Sequence, residues 1–252
     1  MSGPAKSTVV GAAPAGATDA ESAAHAVRDM FTAIAPRYDL LNHLLSFNVD
    51  RTWWWRAART FRHILDRPDA RALDLCCGTG DMAFALRKRA GKSSSQIIGA
   101  DFSHAMLQRA RAKSVETGSP GWIEADALNL PFPDGHFDLV TSAFGFRNLA
   151  DYDAGLREIA RVLRPGGECG ILDCGKPKGV MGSLYQVYFK RVLPRIGTLI
   201  SGVSGPYAYL PASVERFPAP EEMLERMRRA GFSEAAWTPY TFGIAGVFRG
   251  KK

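Results

Sequence analysis

The hydrophobic positions change their period along the chain. Between residues 71 and 174, short apolar runs at 72–76, 96–100, 122–125, 137–143 and 168–174 alternate with longer stretches in which apolar residues recur at helical spacing. Runs of that length bounded by turn residues read as buried strands, and strands alternating with helices build a parallel sheet. The helices are predicted from about Asp81, from His104 to about Thr117 behind Ser103 as N-cap, and from Asp151 or Asp153 to Leu163. Pro165, Gly166 and Gly167 then turn the chain into the fifth strand.

The flanks follow other periods. A helix over 23–34 is interrupted by Pro36, and a second over 38–46 carries an apolar stripe of Leu40, Leu41, Leu44 and Leu45. A third, over 50–65, holds Trp53, Trp54 and Trp55. Helix neighbours lie about 100° apart, so three adjacent tryptophans cannot share one face, and at least one meets solvent, a partner or a ligand. The apolar stretch 180–200 breaks the strand–helix alternation and reads as an inserted helical cover. Residues 220–230 form an amphipathic helix stopped by Gly231, and strands over 235–241 and 244–249 close the sheet as an antiparallel edge. The architecture expected is α/β: a doubly wound, Rossmann-like, mostly parallel sheet with an antiparallel C-terminal edge and an N-terminal helical cap. Residues 1–20 are rich in Ala, Gly, Pro and Ser and are expected to be a disordered tail. Residues 21–252 are expected to form one domain, with the cap over 21–66 and the cover over 180–216.

Composition narrows this picture further. A chain of 252 residues suits one domain with a sizeable core. No apolar run reaches the roughly 18 residues of a membrane span, and the N-terminus has no apolar core behind basic residues, so a cytoplasmic location is expected. Cys76, Cys77, Cys169 and Cys174 lie in or beside strands without C-x-x-C spacing, which reads as reduced core thiols and no metal site. The net charge of +7 suits nucleic acid, an anionic membrane surface or nothing specific. It is concentrated at Arg51, Arg56, Arg59, Arg62, Arg67 and Arg71, and again at Lys176, Lys178, Lys190, Arg191 and Arg195.

The candidate chemistry centres on the CCGTGD run at 76–81. Gly78 and Gly80 let the backbone turn sharply and a ligand approach closely, and the following helix offers its free N–H groups to that ligand. A strand, glycine loop and helix in this order hold nucleotide-like cofactors at the carboxyl ends of doubly wound sheets. Asp101, at the end of the second strand, stands where an acid can take a ribose hydroxyl pair. Dinucleotide and S-adenosylmethionine sites share these features.

The order of the later segments resembles that of class I S-adenosylmethionine-dependent methyltransferases. There the glycine loop passes the methionine part, the acid after strand two holds the ribose, and residues after strand three flank the adenine. Cys76 stands where many dinucleotide binders have their first glycine, which fits a ligand without a pyrophosphate. Five segments narrow the resemblance: residues 31–46 with the IAPRYD run, 77–81, 125–127, Ser142 to Asn148 with FGFRN, and Arg216 to Pro218. In this order they look like the menaquinone/ubiquinone biosynthesis C-methyltransferases, over about 27–249. Asp173-Cys-Gly-Lys-Pro departs from the acid-Phe-Ser-Lys-Pro of many members, and the triple Trp is unusual.

The resemblance implies methyl transfer from S-adenosylmethionine to a ring carbon of a reduced polyprenyl quinol. The CCGTGD loop leans towards demethylmenaquinol as the acceptor, with the methoxy-benzoquinol of the ubiquinone route or another small-molecule acceptor as alternatives. By position, Thr79, Asp101, Asp126, Ala127 and Ser142 match the family's cofactor contacts, with Gly78 and Gly80 in the loop. Amino-methylating nucleic-acid enzymes carry an Asp/Asn-Pro-Pro-aromatic run after strand four. Ser142-Ala-Phe-Gly-Phe stands there instead, so no nucleic-acid partner is expected. A phenol-like hydroxyl with a pKa of about 10 needs a base or a nearby positive charge to ionise at neutral pH. Arg147 and Asn148 are expected to bind the quinol oxygens and stabilise the phenolate, with Tyr38 of the cap beside them. Tyr38, Asp39 and His43 stay open as sources of the base. The cover with its basic rim is where peripheral membrane contact would be made. The oligomeric state, monomer or homodimer, stays open.

Overall fold

The computed structural model describes residues 11–12, 14, 16–46, 48–91, 93–114, 120–177, 179, 182 and 206–252. Seven strands among them, β1 (Arg71–Leu75), β2 (Gln96–Asp101), β3 (Gly121–Glu124), β4 (Phe137–Ala143), β5 (Leu163–Cys174), β6 (Ser233–Tyr240) and β7 (Ala245–Lys251), form one sheet. Its order is β3-β2-β1-β4-β5-β7-β6. The first five strands run parallel, and β7 inserts antiparallel between β5 and the edge strand β6.

Successive residues of a strand point to opposite faces, and that alternation divides the core in two. Leu73, Leu75, Val140, Ile171 and Phe248 face one side, where they meet α7 (Tyr152–Val162) and α9 (Pro220–Arg229) through Tyr152, Leu156, Met223 and Met227. Ala72, Leu139, Leu172 and Val247 face the other. There they meet Trp53, Phe61, Leu65, Met82 and Leu86, carried by α3 (Val49–Thr60), α4 (Arg62–Leu65) and α5 (Asp81–Ala90) or the turns between them. Phe61 is fully buried at the kink between α3 and α4, so the helix predicted over 50–65 is two helices.

The cap is α1 (Ala20–Ile34), a 3-10 turn (Ala35–Arg37), α2 (Tyr38–Leu45) and α3. Asp19 caps α1: its side chain accepts from the Ser22 N–H, and Ser22 returns a hydroxyl bond to the cap. An N-terminal cap of this kind stabilises a helix by about 1 kcal/mol. Gly11 and Ala12, inside the stretch expected to be disordered, are buried and donate backbone bonds to Ala150 and Leu149. The angular argument about the tryptophans holds: Trp53 and Trp54 are buried, and Trp55 is 53% exposed. Leu40 and Leu44 of the α2 stripe are exposed.

Two local details differ from the sequence reading. Ser103 stands at the N-cap of α6 (His104–Lys113), but its hydroxyl meets Thr32 of α1 at 3.1 Å rather than capping. β5 begins at Leu163, before the Pro-Gly-Gly turn, because residues 164–167 loop out between the Phe137–Leu163 and Leu139–Glu168 pairs. The loop is held from the far end of the chain, where the Gly166 N–H donates to the Lys252 carbonyl and the Lys252 N–H to Gly167. Asp151 caps α7, as one of its two predicted alternatives. Most of the inserted cover lies outside the described residues. Its C-terminal part is α8 (Pro206–Arg216). No helix among the described residues is long and apolar enough to cross a membrane.

Candidate functional site

The strand order reverses between β1 and β4, and the loops at the carboxyl ends of the strands diverge there. A cavity of about 1000 Å³ occupies this point. On the β3 side its wall is Asp101, Phe102 and residues 124–128, closed by Ala24 and Arg28 of α1. Arg28 reaches across to Glu124 at 2.6 Å and so ties α1 to the end of β3. On the β7 side the wall is aromatic and apolar, made by Val49, Trp53, Trp54, Phe144, Thr241 and Ile244. Tyr38 and the glycine loop lie between.

The glycine loop follows from its residues. Cys76 and Gly78 both take positive φ, 53° and 54°, and Gly80 has φ 91° as it opens α5. A Cβ on Gly80 would stand 2.4 Å from the Trp122 ring, so both the conformation and the space demand glycine. Gly145 answers a different need. A Cβ there would fall 2.4 Å from Cys76 Cβ, so the loop after β4 can close on the loop after β1 only without a side chain. Phe144, just before it, is held at φ 57°, a conformation uncommon for a bulky residue and of the kind that clusters at ligand sites.

Asp101 is buried, and its two carboxyl oxygens accept the backbone N–H of Gly78 at 2.8 Å and of Ser103 at 2.9 Å. Burial pushes its pKa up to about 6, against the pull of those amides. Asp74 lies deeper on β1, its Oδ1 accepting from the Thr141 hydroxyl at 3.0 Å and its Oδ2 without a partner. Burial pushes Asp74 up to about 8, with the Thr141 bond pulling the other way. The Ser142 hydroxyl is also buried without a partner. The exposed Asp126 caps its own loop through the Leu128 N–H at 2.9 Å, and Ala127 is buried beside it.

Arg147 is buried against Asp173. Its Nη1 donates to Asp173 Oδ1 at 2.9 Å and to the Phe144 carbonyl, and its backbone N–H donates to Asp173 Oδ2 at 3.2 Å. Burial works against the guanidinium charge, but the Asp173 carboxylate more than offsets it and the pKa rises. Asn148 donates to the Phe144 carbonyl and accepts from the Tyr209 hydroxyl of α8 at 3.2 Å.

Of the residues the sequence singles out, Tyr38, Gly78, Thr79, Asp101, Asp126, Ala127, Arg147 and Asn148 line the cavity. Gly80 and Ser142 stand behind its wall, Gly80 against Trp122 and Ser142 beneath Gly145. The Thr79 hydroxyl does not face open space. It donates to Asp39 of α2 at 2.5 Å and lies 3.0 Å from Lys113 Nζ.

A model of the ubiE/COQ5 methyltransferase family matches residues 18–252. The chain belongs to the ubiE/COQ5 methyltransferase family. It is 51% identical to a demethylmenaquinone methyltransferase of Thermus thermophilus over 88% of this chain and 100% of that one. It is 48% identical to a demethylmenaquinone methyltransferase of Deinococcus radiodurans, over 93% and 95%. A ubiquinone/menaquinone biosynthesis C-methyltransferase UbiE of Geobacter sulfurreducens is 44% identical over 90% and 88%. Among solved structures, a SAM-dependent methyltransferase of Thermotoga maritima superposes with a TM-score of 0.62 at 20% identity, over 90% of this chain and 99% of that one. At that identity the likeness shows the fold, the Rossmann-like sheet of SAM-dependent methyltransferases.

This ubiE/COQ5 chain also places residues at the site that sequence reasoning gave no site role. Lys113, from the last turn of α6, reaches Asp39 at 3.0 Å, Asp81 at 2.9 Å and Thr79 at once, and so fastens the cap to the glycine loop. Asp39 is the acid of the IAPRYD run, and this latch gives that run a structural reason. Asp173, the first residue of the departing DCGKP segment, holds Arg147. Asp74 and Thr141 carry no local signal, because a polar pair on neighbouring strands shows only once the strands are aligned.

Proposed function

We propose that the chain transfers a methyl group from S-adenosylmethionine to a ring carbon of a reduced polyprenyl quinol. Demethylmenaquinol is the favoured acceptor, because the relatives with 51% and 48% identity carry the name demethylmenaquinone methyltransferase. The observation that carries the reading is the cavity itself. One wall is lined by carboxylates and loop amides and the other by tryptophan and phenylalanine, with the glycine loop between.

The residues present fit S-adenosylmethionine on the β3 side. Asp101 would hold the ribose hydroxyls, Asp126 and Ala127 would flank the adenine, and Gly78 would leave the loop open to the methionine part. The unpaired Asp74 Oδ2 would meet its positive charge as a carboxylate once that charge displaces the proton burial holds there. When bound, it supplies a methyl on a sulfonium, a centre whose leaving group needs no help. The chain's work is therefore positioning and exclusion of water. The quinol ring would lie in the β7 half against the aromatic wall that Trp53 and Phe144 form together, their ring centroids 5.7 Å apart, with Trp54 in the same wall. Arg147 keeps its charge in every working condition, and with Asn148 and Tyr38 it stabilises the phenolate oxygen at the boundary of the two halves. A prenyl tail is itself a lipid, so peripheral contact with a membrane face belongs to the same reading.

The test is methyl transfer from labelled S-adenosylmethionine to two chemically reduced short-tailed acceptors, a demethylmenaquinol and a methoxy-benzoquinol. Turnover of the first in excess of the second is expected. Comparable turnover of both would match the relatives named for both pathways. Turnover of neither, with the cofactor bound, would overturn the reading.

A further inference from the structure

The proposed reaction replaces a ring hydrogen by a methyl group, so each turnover releases one proton, and the attacking ring is activated by loss of its hydroxyl proton. The groups on the β7 half of the cavity differ sharply in their ability to take it. Arg147 is fixed in its charged form beside Asp173. The Cys174 thiol, pushed up to about 12 by burial, holds its own proton. Tyr38 is a phenol like the substrate. Asp74, Asp81 and Asp101 belong to the glycine-loop side, and Glu124 and Asp126, with Glu21 and His25 of α1, to the β3 side. Asp50 remains.

Asp50 sits in the first turn of α3, lines the cavity between Val49 and the Trp53–Trp54 wall, and is 4% exposed. Its two oxygens are held apart in role. Oδ1 accepts the Arg51 backbone N–H at 2.8 Å, and Oδ2 meets His43 Nδ1 at 3.0 Å. His43, on the last turn of α2, stacks edge-on against Trp54 with ring centroids 5.9 Å apart, and its side chain is 32% exposed. The buried carboxylate thus faces the cavity, and the imidazole behind it faces water.

We propose that Asp50 and His43 form the proton exit of the acceptor site, with Asp50 the acceptor of the substrate hydroxyl proton. The O–H bond of the substrate breaks, its electron pair stays on the substrate oxygen and delocalises into the ring, and a new O–H bond forms on Asp50. Once the methyl–carbon bond has formed, the ring C–H bond breaks, its electron pair restores the aromatic ring, and its proton returns to the substrate oxygen. The Asp50 carboxylate is restored when the proton it took leaves to water through the His43 imidazole, which is the one proton released per turnover. The pair reverses the usual order of a His–carboxylate dyad, in which the imidazole faces the substrate. Charged and titratable groups lie on the elements around it and across the cavity. They are Asp39 on α2, Asp81 on α5 with Lys113 between them, Arg51 on α3, Tyr240 of β6 beneath Arg56, and Cys174 of β5 with Arg147 across the cavity.

The inference rests on the quinol reading, and the test separates the two. Asp50→Asn is isosteric and keeps a partner for His43. Turnover of the better quinol by wild type, Asp50→Asn and His43→Gln is followed from pH 6.5 to 9.5, with S-adenosylmethionine affinity measured by calorimetry. Asp50→Asn is expected to lose about 10²- to 10³-fold in kcat at pH 7 with cofactor affinity within twofold. The gap should then narrow about tenfold per pH unit as the substrate hydroxyl ionises by itself towards its pKa of about 10. His43→Gln should show the same narrowing from a smaller loss. A gap that stays constant with pH marks a structural lesion and overturns the proposal, as does an Asp50→Asn rate within twofold of wild type. A wild type that methylates neither quinol removes the quinol reading, and the proposal with it.

Discussion

Asp74 is the residue whose state the fold changes most usefully. Its pKa of about 8 means that the free protein holds it protonated at neutral pH, with Oδ2 unpaired among the described residues. A raised carboxylate favours the folded state below the unfolded value near 4, and that contribution is lost as pH rises through about 8. The Tm of wild type should therefore fall across pH 4 to 8 relative to Asp74→Asn. A cationic ligand beside Asp74 favours the carboxylate, so S-adenosylmethionine binding at pH 7 should release a proton. Binding enthalpies of wild type should then vary with the ionisation enthalpy of the buffer, and those of Asp74→Asn much less. Equal buffer dependence in both proteins would place the ligand's charge elsewhere. Arg147 gives a second test at this scale. Asp173→Ala leaves a buried guanidinium uncompensated and should cost about 3–5 kcal/mol in urea unfolding. Arg147→Lys keeps the charge but loses the planar fork and should lower kcat more than it raises the cofactor Kd. The place of Asp101 at the cavity was legible from a strand end, which is local, and that of Ala127 from the family resemblance. What Thr79 and Arg147 bond to was not, since their partners Asp39 and Asp173 come from other elements.

At the scale of elements, the contrast between strands and connections has the same cause. β4 matches its predicted bounds because turn glycines, Gly135 and Gly145, bracket a short segment buried on both faces, its polar Asp138, Thr141 and Ser142 included. The start of β5 was missed because its bulge is held by Lys252 from the far end of the chain. Helix angle requires that one of the three tryptophans leave the core, and it is Trp55, so Trp54→Ala should cost about 3–5 kcal/mol while Trp55→Ala stays near neutral. The Lys113 latch joins three elements that no local pattern connects: α2 through Asp39, the glycine loop through Thr79, and α5 through Asp81. Lys113 is about one third exposed, so the latch is a modest contribution to stability and a larger one to closure. Lys113→Met should leave Tm within a few degrees, weaken S-adenosylmethionine binding about tenfold, which is ~1.4 kcal/mol, and raise hydrogen exchange over 38–45. Unchanged exchange in that segment would mean that the cap is held by its apolar contacts instead.

At the scale of the whole molecule, the cavity is the joint between the cap and the sheet. Its wall alternates between them, with α1 against the end of β3 through Arg28 and Glu124 and Tyr38 against the glycine loop. The β7 side is closed by α3 against the β6–β7 turn, where the Trp53 indole N–H donates to the Thr241 hydroxyl at 2.8 Å. A ligand that fills such a joint binds only when both walls are in place. Its binding free energy should therefore appear as stability of the entire chain rather than of one part. With S-adenosylhomocysteine at about 100 times its Kd, the gain is about 2.7 kcal/mol. For a chain of this size that is a rise in Tm of roughly 5–10 °C. Calorimetric melting should show one transition moving as a unit. In Lys113→Met the same ligand multiple should give the same gain, because the loss lies in the Kd. At equal absolute ligand concentration its shift should be smaller. Two transitions, of which the ligand moves only the higher, would show that the cap folds and melts independently of the sheet it covers.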